Sequence, residues 1–217
     1  MRTIFHKMKS IALEGIDGAG KTTQVKKLAD RLTREGFPVN IWHYTDKNNR
    51  WGRIIKGLYS QNGKEPSFLS KSRYLQEMLY ALSARANLRK LTLYEDSVIL
   101  SDRSVICAYA SHIGRMPFWF IDMVEPNMSP DTAILINIPP EEGLKRIGSR
   151  GTGFLDENLG ELRLFEQGYR DIMGTQRPRK LRHTQFKLVD GLGSEEEVSE
   201  RVYRAVIPEI DGGKYGK

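Results

Sequence analysis

Residues Gly15 to Thr22 read GIDGAGKT and match the pattern GxxxxGK[ST]. They follow an apolar run, Ser10 to Glu14, and precede a stretch in which Val25, Leu28, Ala29 and Leu32 recur at helical spacing. A glycine-rich turn between a strand and a helix leaves few folds open to the chain. Its glycines let successive N–H groups turn inward around phosphate oxygens, and the positive end of the next helix faces the same anion. In this pattern Lys21 reaches the β- and γ-phosphates and the Thr22 hydroxyl ligates Mg2+. Thr23, in the first helical turn, falls near the α-phosphate. The expected triphosphate-binding set is therefore Gly15, Ile16, Asp17, Gly18, Ala19, Gly20, Lys21, Thr22 and Thr23. Such turns also occur for tight packing alone, and the motif does not separate kinases from ATPases or GTPases.

The rest of the chain alternates short apolar runs with longer helical ones, which predicts an α/β fold with a mainly parallel sheet. Strands are expected at Ser10 to Glu14, Val39 to Trp42, Val98 to Leu100, Thr132 to Ile138 and Phe186 to Val189. Gly36 stops the first helix, and Pro38 prevents its resumption. Trp51, Ile54, Ile55 and Leu58 suggest a short helix. Ser67 to about Leu93 reads as a long one, with Leu75, Met78, Leu79 and Leu82 as its buried stripe. Pro139-Pro140 opens a helix bearing Leu144 and Ile147, and another starts near Leu159 after the break at Gly151 to Gly153. Ser194 and Glu197 form a capping-box pair before the last helix. No stretch is rich enough in Pro, Gly or Ser to divide the chain, so one domain over residues 1–217 is expected.

Composition narrows the setting. The chain has 217 residues, enough for one self-sufficient core, and its single cysteine, Cys107, excludes an internal disulfide. The apolar runs are too short to span a bilayer, and MRTIFHKMKS at the start precedes no signal-like apolar stretch, so a cytoplasmic protein is expected. The formal charge of +7 suits a phosphorylated ligand as well as a polyanion. The densest basic stretch, Arg177 to Arg182 (RPRKLR), has no interleaved aromatics and reads as a solvated loop rather than a nucleic-acid platform.

Two further features bear on chemistry. Asp17 places a carboxylate beside phosphates, where it either serves a sugar hydroxyl or metal-bound water or merely caps the turn. Ser101-Asp102-Arg103 stands at the carboxyl end of a strand, where open α/β sheets place ligand groups. Asp102 suits Mg2+ held through water, and Arg103 offers a bidentate fork to phosphate; a structural ion pair is the plainer alternative. The histidines (His6, His43, His112, His183) match no metal or triad spacing and are expected to be structural or solvated.

At this point the chain resembles the thymidylate kinase family. ALEGIDGAGKTTQ (Ala12 to Gln24) is similar to that family's phosphate loop nearly letter for letter, SDR (101–103) to its DR motif, and PDTAILINIPPEEGLKRIGSRG (130–151) to its fourth strand, following helix and lid start. The resemblance implies a P-loop NTPase-type fold, a parallel five-stranded sheet flanked by helices with a short lid at about 148–158. It implies ATP as phosphoryl donor, Mg2+ as cofactor, a nucleoside monophosphate, dTMP above all, as acceptor, and a homodimer touching through the long helix. Residue by residue, it implies catalytic roles for Lys21, Arg103, Arg150 and Asp17, and metal binding by Thr22 and Asp102. Acceptor binding falls to Asp17, Arg85, Asn87 and Arg103, with Asp17 on the sugar 3′-hydroxyl. Arg146 and Arg150 start the lid. Gly18 stands where one branch of the family has a catalytic arginine, so the chain resembles the branch whose lid supplies the basic residue.

The chain departs from the family at several points. Tyr44 to Arg50 replaces an Arg-Glu-Pro segment, with Arg50 or Lys47 as candidate substitutes for the arginine. Ala81, beside Tyr80, stands where an aromatic stacks on thymine. The lid reads Leu155-Asp156-Glu157, and Ser104 follows Asp-Arg. A monophosphate oxygen needs no general base, and none is evident; Asp46 is the candidate if the acceptor is a hydroxyl. A kinase of nucleosides or small hydroxyl compounds, a nucleotide-dependent regulator binding nucleic acid, and a relative that has lost its acceptor site remain open at this stage.

Overall fold

The five apolar runs pair into one sheet. The computed structural model describes residues 9–46, 49–59, 72–91, 97–126, 128–149 and 158–210. Its strands are β1 (Lys9–Glu14), β2 (Val39–His43), β3 (Val98–Asp102), β4 (Thr132–Asn137) and β5 (Gln185–Asp190). They lie in the order β2-β3-β1-β4-β5, each neighbouring pair parallel. Parallel neighbours need crossovers, which helices supply: α1 (Lys21–Arg34), α2 (Arg50–Tyr59), α3 (Arg73–Leu88), α4 (Val105–His112), α5 (Phe118–Val124), α6 (Pro140–Gly148), α7 (Leu159–Met173) and α8 (Glu195–Ile210).

Strand alternation decides the layers, because successive side chains leave opposite faces of a sheet. Ile11, Leu13, Val98, Leu100, Ile134 and Ile136 pack with Val25, Leu28 and Leu32 of α1 and Val198, Val202 and Val206 of α8. Ile99, Ala133 and Leu135 face the other way, onto Val105, Ile106 and Tyr109 of α4 and Tyr169 and Ile172 of α7. The order places β1 between β3 and β4, so the chain leaves β1 toward one side and returns on the other. Register sets Leu13 and His43 opposite Asp102, which brings the carboxyl ends of β1, β2 and β3 to one edge.

Local signals act as expected at several ends. Ser194 Oγ accepts from Glu197 N at 3.2 Å, and Ser194 N donates to Glu197 Oε2 at 2.7 Å, completing the capping box. Gly36 takes φ 90° just past α1, and Pro140 occupies the first turn of α6.

Three expectations need correction. The long helix runs only from Arg73 to Leu88; Ser72 caps it through Leu75 N, and residues 60–71 and 92–96 lie outside the described residues. Its buried face is Glu77, Leu79, Ala81, Ser83, Ala84 and Asn87, while Met78 is 45% exposed. Half of the residues turned inward are thus polar, which hides this face from a hydrophobic-periodicity search. Helices α4 and α5 were not expected: α4 (VICAYASH) is apolar nearly all round, and α5 has only 7 residues, so neither shows an amphipathic stripe. RPRKLR includes a 3-10 turn, Arg179–Leu181, with Leu181 fully buried, Lys180 Nζ donating to Asp122 O at 2.7 Å, and Arg177, Arg179 and Arg182 exposed.

Helices α4 and α7 meet at Gly168, where an added Cβ would collide with the Ala110 carbonyl. Gly168→Ala should therefore cost ~1–3 kcal/mol of overpacking. For a domain of this size that lowers Tm by roughly 3–10 °C in calorimetry; an unchanged Tm would refute the contact.

Candidate active site

The loop between β1 and α1 is held open by backbone geometry. Gly15, Gly18 and Gly20 have φ of 142°, 85° and 86°, a region side chains avoid. A Cβ on Gly18 would strike the Gly143 backbone in α6, and a Cβ on Gly143 would lie 2.7 Å from the Asp17 carbonyl oxygen. The loop tip therefore rests on α6, and an arginine at position 18 is excluded by conformation and by space. Gly20 gives α1 no side-chain cap, which leaves the first amides of that helix to an anion.

Lys21 is buried, and its Nζ donates to the Ile16 carbonyl at 2.7 Å, 3.9 Å from Asp17 Oδ1. Burial, then the neighbouring Arg103 charge, lower its pKa to about 8, with Asp17 and Asp102 opposing. Thr22 Oγ1 donates to Asp102 Oδ2 at 2.6 Å. Burial would raise the Asp102 carboxyl, but His43, Thr22, Lys21 and Arg103 outweigh it and hold the pKa at about 2. An ionised carboxylate beside a hydroxyl offers hard oxygen ligands of the kind Mg2+ takes alongside substrate phosphates. No larger cluster of His, Cys, Asp and Glu suited to a metal occurs among the described residues. His43 was expected to be structural or solvated; its Nδ1 instead lies 3.6 Å from Asp102 Oδ2, and that contact raises its own pKa. Only the β2–β3 register reveals this pairing, since sequence spacing cannot show it.

Arg103 has φ 67°, the only non-glycine residue with positive φ among those described, a conformation costing ~1–2 kcal/mol. Its Nη2 is paired with Asp17 Oδ1, while Nη1 donates to Gly15 O at 3.3 Å and lies 3.4 Å from Tyr169 Oη. Burial disfavours the guanidinium charge, but Asp17 and its neighbours more than restore it. Below this pair, Glu14 is buried, accepting from Ser104 Oγ at 2.6 Å and from Tyr169 Oη at 2.9 Å. Burial pushes the Glu14 carboxyl up to about 7 against both hydrogen bonds. Glu14 and Tyr169 thus tie the ends of β1, β3 and α7 to Arg103, and Phe165 stacks on Tyr169 at 4.8 Å. Sequence reading missed both. Glu14 ending an apolar strand was a signal, whereas Tyr169 looks like any core aromatic on the α7 stripe.

A second polar group lies at the β2 end. Asn49 Nδ2 donates to Ser83 Oγ and Asn87 Oδ1, each at 3.0 Å, and Asn87 Nδ2 donates to the His43 carbonyl at 2.8 Å. Asn87 is thereby placed beside the Asp102 edge. Arg85 is exposed in the last turn of α3, on the side away from buried Ser83, Ala84 and Asn87. Arg50 is exposed at the start of α2 with its guanidinium 5.4 Å from the Trp51 ring centre. The structure does not join either arginine to the cluster. Thr22 and Thr23 are exposed at the mouth of the loop. Arg150 and lid residues 151–157 lie outside the described residues. Arg146 bonds to Glu142 Oε1 at 2.7 Å and to the Gly191 carbonyl at 3.3 Å, fixing α6 against the β5–α8 turn.

A phosphate loop at the carboxyl edge of a parallel 2-3-1-4-5 sheet, with a hydroxyl and carboxylate paired at its mouth, defines a P-loop nucleotide-binding protein. A family model described as "Thymidylate kinase" matches residues 13–202. The chain is 27% identical over 209 residues to a probable thymidylate kinase of Thermococcus onnurineus, covering 92% of this chain and 98% of the relative. It is 30% identical over 217 residues to a probable thymidylate kinase of Pyrococcus horikoshii (93% and 97% covered), and 30% over 205 residues to the thymidylate kinase of Bacillus licheniformis (88% and 92%). The chain belongs to the thymidylate kinase family.

Lys21→Ala removes one oriented electrostatic donor and should lower kcat by roughly 10²-fold. Arg103→Ala should do the same and also free Asp17. Steady-state ADP release checks both; near-normal turnover in either variant would return that residue to a structural role.

Proposed function

We propose that this protein transfers the γ-phosphoryl group of Mg-ATP to dTMP, giving dTDP. One observation carries the reading. In a chain of this family, Lys21, the Thr22–Asp102 pair and the Asp17–Arg103 pair converge at one sheet edge. Lys21 and the loop amides hold the donor phosphates, leaving the carbonyl of Ile16 for them. Thr22 and Asp102 would hold Mg2+, which would supply positive charge to neutralise the phosphates. Arg103 binds the acceptor phosphate, and Asp17 orients Arg103 and the sugar 3′-hydroxyl. The phosphate oxygen of the acceptor is already ionised, so positioning and charge neutralisation complete the reaction without a general base. By the family resemblance, Arg150 would add charge to the transferring group. Asn87 is tied to Asn49 and the His43 carbonyl beside this edge; Arg50 and Arg85 have no support from the geometry.

The protein acts as a cytoplasmic homodimer in this reading. Tyr74 and Met78 on α3 are 47% and 45% exposed, and Trp119 and Met123 on α5 are 64% and 60% exposed. The Tyr74 and Phe120 rings meet edge to face at 4.9 Å, joining the two helices into one apolar face of the kind a partner covers. Sedimentation of the full chain should give a dimer, and Trp119→Asp with Met123→Asp should give a monomer. A monomeric parent chain would end this part of the reading.

Acceptor choice is tested by ADP release from Mg-ATP with dTMP, dUMP, UMP, CMP, AMP, thymidine and deoxycytidine. dTMP should be turned over preferentially. Turnover of thymidine or deoxycytidine alone would replace the reading with a nucleoside kinase.

A further inference from the structure

The guanidinium of Arg103 has two edges, and they meet different surroundings. The Nη2 edge pairs with Asp17 Oδ1, and the Asp17 side chain is 42% exposed, so this edge lies toward solvent. The Nη1 edge points into the body of the protein. It donates to Gly15 O at 3.3 Å, to Tyr169 Oη at 3.4 Å and to Cys107 Sγ at 3.6 Å. Tyr169 is 2% exposed. The Phe165 ring centre lies 5.3 Å from Cζ, so the flat face of the guanidinium is covered as well.

The Tyr169 hydroxyl is itself aimed. It has one hydrogen to give. Glu14 Oε2 takes it at 2.9 Å, because Gly15 O is farther away at 3.5 Å. The lone pairs of the hydroxyl oxygen are thereby left to accept from Nη1. Glu14 is held in turn. Ser104 Oγ donates to its other oxygen at 2.6 Å, and the same Oγ caps α4 through Ile106 N at 3.2 Å. This series of bonds reaches only the edge of Arg103 that does not meet Asp17.

An arginine oriented by Asp17 alone would lose its one fixed partner when an anion arrived at the Nη2 edge. Here the Nη1 edge stays held. We propose that Tyr169, its hydroxyl aimed by Glu14, is a positioning residue: it fixes the Nη1 edge of Arg103, so that the Nη2 edge passes from Asp17 to the acceptor phosphate without the guanidinium turning. This rests on the reading of Arg103 as the ligand of the acceptor phosphate. Arginine suits the task because its planar fork carries donors on two sides, whereas a lysine ammonium has no second edge to anchor. Holding that edge matters, because a misplacement of ~1 Å costs on the order of 10²-fold in rate.

The test uses the full chain. Tyr169→Phe removes the hydroxyl and keeps the ring stacked on Phe165. Its kcat/KM for dTMP should fall about tenfold, the loss of one hydrogen bond to a charged group, while the KM for ATP changes by less than about twofold. Glu14→Gln, whose amide accepts through one oxygen only, should move the same constant in the same direction. Added to Arg103→Ala, Tyr169→Phe should change nothing further, because a residue that acts through Arg103 has nothing left to position. A loss shared equally by the ATP and dTMP constants, or an undiminished loss on top of Arg103→Ala, would overturn the proposal. A second readout needs no acceptor. Rotation about Cζ–Nη1 of Arg103 is followed by guanidinium NMR, its signals being those absent from Arg103→Lys. Rotation should be about tenfold faster in Tyr169→Phe than in the parent, and equal rates would overturn the proposal. If the parent does not use dTMP at all, the acceptor reading fails, and the rotation rates decide the anchoring of Nη1 on their own.

Discussion

Arg103 brings a positive charge into a site where its side chain is only 16% exposed, and much of the surrounding structure answers that charge. Asp17 pairs with it from the phosphate loop, the Gly15 carbonyl accepts from it, and Tyr169 approaches it from α7. A buried charge left without such partners would cost several kcal/mol. The left-handed backbone of Arg103 is sustained in the same way, by its N–H to Leu13 O at 3.1 Å and by the Ser104 cap of α4 held on Glu14. Glu14 lies beneath all of these, so the end of β1 anchors the Arg103 charge as well as the phosphate loop.

The loop itself is locked by contacts between backbones. Gly18 and Gly143 approach so closely that neither tolerates a Cβ. Helix α6 carries Gly143 against the loop, and Arg146 fixes it to Gly191 on its other side. The phosphate loop and α6 are therefore one packed unit. This gives the physical reason that the chain has glycine at position 18.

Around Asn87 the inward face of α3 is held by neutral hydrogen bonds. Ala84 and Asn87 occupy the inward face of α3 while Arg85 faces out, and Asn49 joins Ser83 and Asn87 to the chain after β2. The departures visible between Tyr44 and Arg50 are thus part of a connected network. Asn49 carries it, a residue that spacing alone does not set apart from Lys47 or Arg50.

Much of the fold was legible because it rests on local chemistry. Alternating apolar runs, the Ser194–Glu197 box, Pro140 and the glycines at 15, 18 and 20 act over a few residues, and the structure follows them. Helix α4 escaped because a helix buried on all sides has no stripe, and the inner face of α3 escaped because half of its buried residues are polar. By itself the sequence determined the class of fold, the phosphate loop with Lys21 and Thr22, and Asp102-Arg103 at a strand end. Only the tertiary structure decided that His43 meets Asp102, that Tyr169 and Glu14 hold Arg103, and that Glu77 meets His112. Those pairings join residues 35 to 155 positions apart, and their geometry is set by strand register and helix packing. Neither leaves a periodic trace in the chain.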